Sequence, residues 1–122
     1  MILKDIEKQL GNLYCTCVES DAIRIGTWYT IEGDPINFLF SQEDEKYSVI
    51  RTNDNFSEWM AWNTDGWSRK ASIIEEIAAY YDVRWDNEHG RLFIRFRRNE
   101  MTVAQAIMRL LQAVFVIAAT EF

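Results

Sequence analysis

The last twenty residues, Thr102 to Glu121, limit the possible folds of this chain more than any other segment. Up to Thr120, only Thr102, Gln105, Arg109 and Gln112 interrupt fourteen apolar residues. Those polar positions are spaced by three, four and three, so on a helix they form one narrow stripe along an otherwise apolar cylinder. Such a helix cannot lie on a surface. It must be the spine of a core, or in part an interface with a second chain. Arg109 and Gln112, midway along, argue against a membrane span.

A chain of 122 residues is long enough to build one core, and a single domain over residues 1–122 is expected. Its opening residues, Met1 to Glu7, lack the basic start and apolar block of a secretory leader, which predicts a cytoplasmic protein. Cys15 and Cys17 are the only cysteines, and His89 is the only histidine. Two thiols and one distant imidazole fall short of a zinc ligand set, so free thiols are expected, the alternative being an intersubunit metal or redox pair. No cofactor and no metal is expected.

Charge is unevenly placed. Residues 1–61 hold eleven acids against five bases and residues 62–122 hold eight of each, so the first half carries the whole net charge of −6. That balance disfavours nucleic acid and favours basic protein surfaces as partners.

Leu3, Ile6, Leu10 and Leu13 share one face of an amphipathic opening helix over Ile2 to Leu13. A β region then runs from Thr16 to Ile31, with Gly26 as a candidate bulge. Gly33-Asp34-Pro35 turns the chain into Ile36 to Phe40, which pairs as a hairpin with Tyr47 to Arg51. Asn53-Asp54-Asn55 caps a short helix, Phe56 to Trp62, ended by Thr64-Asp65-Gly66. A second helix is predicted over about Arg69 to Tyr81, burying Ile73, Ile74, Ile77 and one of Tyr80 or Tyr81, with Ser68 or Ser72 as its cap, the latter in a box with Glu75. Val83 to Trp85 and Leu92 to Arg97 alternate around Asn87-Glu88-His89-Gly90, through a loop of either two or four residues. Thr102 and Gln105 supply a capping box for the last helix. The order helix, three strands, one or two helices, two strands, helix defines an α+β domain: an antiparallel sheet of about five strands covered by helices on one side.

Two segments carry candidate binding chemistry. The outer face of the last hairpin presents Arg91, Phe93, Arg95 and Arg97, beside Arg84 and Arg98. Arginines interleaved with an aromatic can grip phosphates or stack on bases. They can equally pair with Asp82, Asp86 and Glu88, which share their outward parity. Trp59, Trp62 and Trp67 fall within nine residues, too close for all three to face inward from a short helix. Catalytic signals are poor: His89 sits at a turn, and no nucleophile elbow, phosphate loop or paired-histidine helix is present. The sequence points away from an enzyme.

The run Pro35 to Phe40, then Tyr47-Ser48-Val49, then Asn53-Asp54-Asn55 before a helix, resembles a bacterial and phage family of unassigned function, the domain of unknown function "eighteen twenty-eight". The likeness extends through Tyr81-Asp82-Val83, Gly90-Arg91-Leu92 and the helix Ala106 to Ala113, covering about residues 22–119. Where that family's turn is usually acidic and ends in glycine, this chain has Asn55. The resemblance implies no catalytic residues. In topology and acidity the chain is also similar to the dimeric chaperones of type III secretion, which hold unfolded effector segments on the outside of a dimer. That likeness implies a homodimer whose seam includes part of the terminal helix or the last hairpin.

The expected function is therefore a small cytoplasmic protein-binding module, homodimeric, chaperone-like or inhibitory, with no membrane association. Its partner would be basic or partly unfolded, met by Trp59, Trp62, Trp67 and Phe93 with Arg91, Arg95 and Arg97. The alternative is a nucleic-acid-associated protein using the arginine-rich hairpin 91–98.

Overall fold

The computed structural model describes residues 15–19 and 22–120. The amphipathic opening helix predicted over Ile2 to Leu13 lies outside the described residues, as do the side chains of Cys15 and Cys17. The described elements are β1 (Cys15–Glu19), β2 (Ala22–Ile31), β3 (Asp34–Gln42), β4 (Tyr47–Thr52), α1 (Asp54–Thr64), a 3-10 turn (Trp67–Lys70), α2 (Ala71–Tyr80), β5 (Arg84–Asp86), β6 (Arg91–Arg97) and α3 (Val103–Ala119). The strands form one antiparallel sheet in the order β1-β2-β3-β4-β6-β5. The α+β class and the succession of elements from β2 onward are those the sequence predicts. The stretch Thr16 to Ile31, read as one β region, is two strands: β1 folds back on β2 with Glu19 opposite Ala22 and Cys15 opposite Gly26.

Period-two alternation assigns the two faces of the sheet. Ile36, Phe38 and Phe40 of β3 are buried, as are Ile50 of β4 and Leu92, Ile94 and Phe96 of β6. They align across the strands, Phe40 opposite Ile50 and Ile50 opposite Ile94. Against this face pack Phe56 and Met60 of α1, Ile74 and Ala78 of α2, and eight buried residues of α3 from Val103 to Ile117. The terminal helix is thus a core spine, as its composition requires. Its polar stripe, Gln105, Arg109 and Gln112, faces away from the sheet, and Met108, Phe115 and Val116 are exposed beside it.

Local chemistry sets the element ends. The Asn53 side chain accepts the Phe56 N–H at the start of α1, and Asp65 closes that helix in the left-handed region. Thr102 and Gln105 make the predicted capping box: Thr102 Oγ1 accepts the Gln105 N–H at 3.1 Å, and Gln105 Oε1 accepts the Thr102 N–H at 2.9 Å. The β5–β6 loop has four residues, with Asp86 opposite Arg91. α2 forms within the predicted span, with Ile74, Ile77 and Tyr81 turned to the core, but its predicted cap does not form. The 3-10 turn runs straight into the helix, Lys70 occupies the cap position without a side-chain bond, and Ser72 falls inside the helix rather than at its start. Ile73 is correspondingly exposed, and of the two tyrosines it is Tyr81 that packs on the core.

The bulge expected at Gly26 is larger than a single inserted residue. Gly26 pairs with Asn37 and Thr30 with Pro35, so Thr27, Trp28 and Tyr29 face Ile36 alone. The buried Thr27 hydroxyl bridges the irregularity, donating to the Ile36 carbonyl at 2.7 Å and accepting the Tyr29 N–H at 3.3 Å. Trp28 is pushed outward, and the Tyr29 ring meets Phe115 of α3 edge-on at 5.4 Å.

Candidate binding groove between the β2–β3 turn and α1

The seven candidate contact residues do not form one site. Trp62 lies on the outward face of α1 and is 87% exposed, the most exposed large apolar side chain among the described residues. Trp59, one turn earlier, is half-buried: its ring stacks beside Phe56 at 6.1 Å, and its indole N–H is buried with no acceptor among the described residues. Trp67 is committed elsewhere. Its ring lies over Gly90, packs edge-on against Trp85 at 6.3 Å, and donates Nε1–H to the Asn87 carbonyl at 2.7 Å. It clasps the β5–β6 loop rather than offering a free contact face.

Arg91, Phe93, Arg95 and Arg97 project from the sheet face opposite the helices. Phe93 is half-buried between its strand neighbours Arg51 and Arg84. Acids do pair with the arginines, but they are not Asp82, Asp86 and Glu88. Arg91 meets Asp54 at 3.3 Å, Arg95 meets Glu43, and Arg97 approaches Glu100 at 3.8 Å. The reason is topological: β5 has only three residues, so Arg95 and Arg97 are flanked by β4 and the β3–β4 loop. Both guanidinium groups also sit over the Tyr47 ring, 3.6 and 4.9 Å from its centroid. The hydrogen bond to Glu43 raises the Arg95 pKa, and that to Tyr47 raises the Arg97 pKa. Three of the β6 arginines and the Tyr47 ring are thus engaged with groups of the same chain. Asp82 instead pairs with Arg109 at 3.5 Å.

Asp86 serves its own turn. Its Oδ1 accepts the N–H groups of Glu88 and His89, and its Oδ2 lies 2.8 Å from His89 Nδ1. Slight burial alone would raise the Asp86 pKa; the His89 ring and the two backbone donors outweigh it and hold the carboxyl below its usual range. The gathering of Asp86, Glu88 and His89 is accounted for by this turn.

Trp59 and Trp62 face a different set of groups. The β2–β3 hairpin closes through Glu32 and Gly33, both at positive φ (50° and 88°), the backbone of a tight two-residue turn. That turn holds Glu32 and Asp34 opposite α1. Between them runs an open groove of about 430 Å³ lined by Glu32, Asp34, Asn55, Glu58, Trp59, Trp62 and Asn63. Beside it lies a smaller, more apolar hollow floored by Ile31, Pro35, Ile36 and Phe56, with Trp59 common to both. Three carboxylates, two indoles and two side-chain amides thus converge. They suit a cationic side chain: carboxylates hold an ammonium or guanidinium while an indole face covers it.

Glu32 adds a physical argument. Asn, Asp or Gly normally fills a left-handed turn position, because other residues strain there by roughly 1–2 kcal/mol. Glu32 takes such a position in the wall of the groove. The sequence reading missed Glu32, Asp34 and Glu58; the signal available for the first two was the Glu32-Gly33 pair between two β runs.

No helix among the described residues is long and apolar enough to cross a membrane. Comparison with known proteins yields no match to a family model, to a curated protein or to a solved structure.

Proposed function

We propose that this protein is a binding module that holds a basic segment of another protein in the groove between the β2–β3 turn and α1. The observation that carries this reading is the placement of Trp62, almost fully exposed, beside Glu58 on α1 and across from Glu32 and Asp34, with Trp59 beneath. An exposed indole is a favoured anchor of protein interfaces, and the carboxylates select the charge of what it meets. Trp59, Trp62 and the three acids carry the contact. Trp67 and the arginines of β6 support the scaffold instead. The module holds its partner without converting it, as an inhibitor or a chaperone does.

The test is a fluorescence-anisotropy titration with a labelled peptide alternating lysine or arginine with leucine, against a matched acidic peptide. Selective binding of the basic peptide, weakened about tenfold or more by Trp62→Ala, is the expected result. Equal binding of both peptides, or none, would remove the reading.

A further inference from the structure

We infer that the recognition site has a second half on the far side of Trp62, where Arg69 and Lys70 receive a carboxylate. The segment this fits carries a glutamate or aspartate about three positions from its basic residue. The inference rests on the groove reading above and extends it. Trp62 lines two hollows. One is the acidic groove already described; the other, of about 290 Å³, is bounded by Trp62, Asn63, Thr64, Asp65, Arg69 and Lys70. The indole is therefore a ridge with carboxylates on one flank and cations on the other.

Local backbone builds the second flank. Asp65 and Gly66, both at positive φ (53° and 88°), end α1 and lead into the 3-10 turn that carries Arg69 and Lys70. Trp67 opens that turn, and its ring is fixed over Gly90 and bonded to the Asn87 carbonyl. The cations thus stand on an anchored turn. Neither has a side-chain partner among the described residues, unlike Arg91, Arg95, Arg97 and Arg109. The Asn63 amide and the Thr64 hydroxyl donate back to α1, at 2.9 Å to the Trp59 carbonyl and 2.6 Å to that of Met60. The charges left at the hollow are two cations and the Asp65 carboxylate, a net positive flank.

Charge complementarity decides the occupant. A uniformly basic segment gains at Glu32, Asp34 and Glu58 but meets Arg69 and Lys70 beyond the indole; a uniformly acidic one meets the reverse. A segment carrying both signs satisfies both flanks. Helix and strand geometry set the spacing. From Glu58 to Asp65 the helix and its cap rise roughly 10 Å, at about 1.5 Å per residue. An extended chain covers that length in about three residues.

The test uses the full chain and acetylated, amidated peptides, in which side chains alone carry charge, read by fluorescence anisotropy. Each peptide sets one lysine among leucine and serine, with glutamate or glutamine at that spacing, before the lysine in one pair and after it in another. In one of the two orders, the glutamate peptide is expected to bind about tenfold tighter than its glutamine match. Arg69→Gln combined with Lys70→Gln should bring the glutamate peptide to the level of the glutamine one. Asp65→Asn keeps a residue suited to the left-handed position and should tighten the glutamate peptide about twofold or more. Glutamate and glutamine peptides bound alike in both orders would overturn the inference and leave the basic-segment reading standing. A glutamate preference that survives the double substitution would also overturn it, since the carboxylate is then received elsewhere. If no lysine peptide binds, both readings fall together.

Discussion

The Trp67 ring covers Gly90 so closely that a Cβ added to Gly90 would stand 2.7–2.8 Å from three of its carbon atoms. Gly90 also has φ +69°, and its carbonyl accepts the Ser57 hydroxyl at 2.8 Å. Backbone freedom, ring contact and hydrogen bond together tie the β5–β6 loop to α1 and the 3-10 turn. Gly90→Ala should cost about 2–4 kcal/mol, through left-handed strain and overpacking against a ring that is itself anchored. Urea denaturation followed by circular dichroism measures it, and a loss under ~1 kcal/mol would show that Trp67 swings aside freely.

The capping box of α3 is worth testing separately, because this helix is the centre of the core. Thr102→Ala removes the acceptor for the Gln105 N–H and should lower stability by about 1 kcal/mol. Thr102→Asp, which keeps an acceptor at the helix start, should restore most of it in the same denaturation experiment.

Glu32 separates stability from binding. Glu32→Asn places the preferred residue in the left-handed turn position before Gly33, so the unfolding midpoint should rise by an equivalent of up to ~1 kcal/mol. The same change removes a carboxylate from the groove and should weaken the basic peptide several-fold. A variant that is more stable and binds as tightly would show that Glu32 takes no part in recognition.

Acid should loosen the β5–β6 loop through protonation of Asp86. The Asp86 carboxyl is held below its ordinary pKa, so its contribution is fully present above the unfolded value near 3.8 and is lost as pH falls through the lower folded value. Amide exchange at Glu88 and His89, the two N–H groups bound by Asp86, should accelerate across that window. In Asp86→Asn the acceleration should vanish; if it persists, another carboxylate governs the loop.

The elements legible in the sequence were those with strong local signals. α3 followed from composition, its start from a capping box, and the last hairpin from strict alternation. The β1–β2 division was hidden because Glu19-Ser20-Asp21 contains neither Gly nor Pro to punctuate the β pattern. The partners of the β6 arginines were hidden because they depend on strand order, which brings Glu43 to Arg95 across 52 positions. The groove was half visible. Tryptophan density marked α1, but its facing wall comes from a turn about 25 residues upstream, and no local pattern announces that approach.

The bulge in β2 has one further consequence, arising from arithmetic. Between Gly26 and Thr30 the strand carries two more residues than β3 opposite. Because side chains alternate with period two, an even excess leaves Ile25 and Ile31 on the same side, and both do reach the core. Inside the bulge the alternation is suspended, since Trp28, Tyr29 and Thr30 are all exposed. Removing Trp28 and Tyr29 together would keep the parity of the flanking residues, at the loss of the Tyr29–Phe115 ring contact. Segments of this kind let a scaffold change what it displays while the rest of the strand keeps its phase.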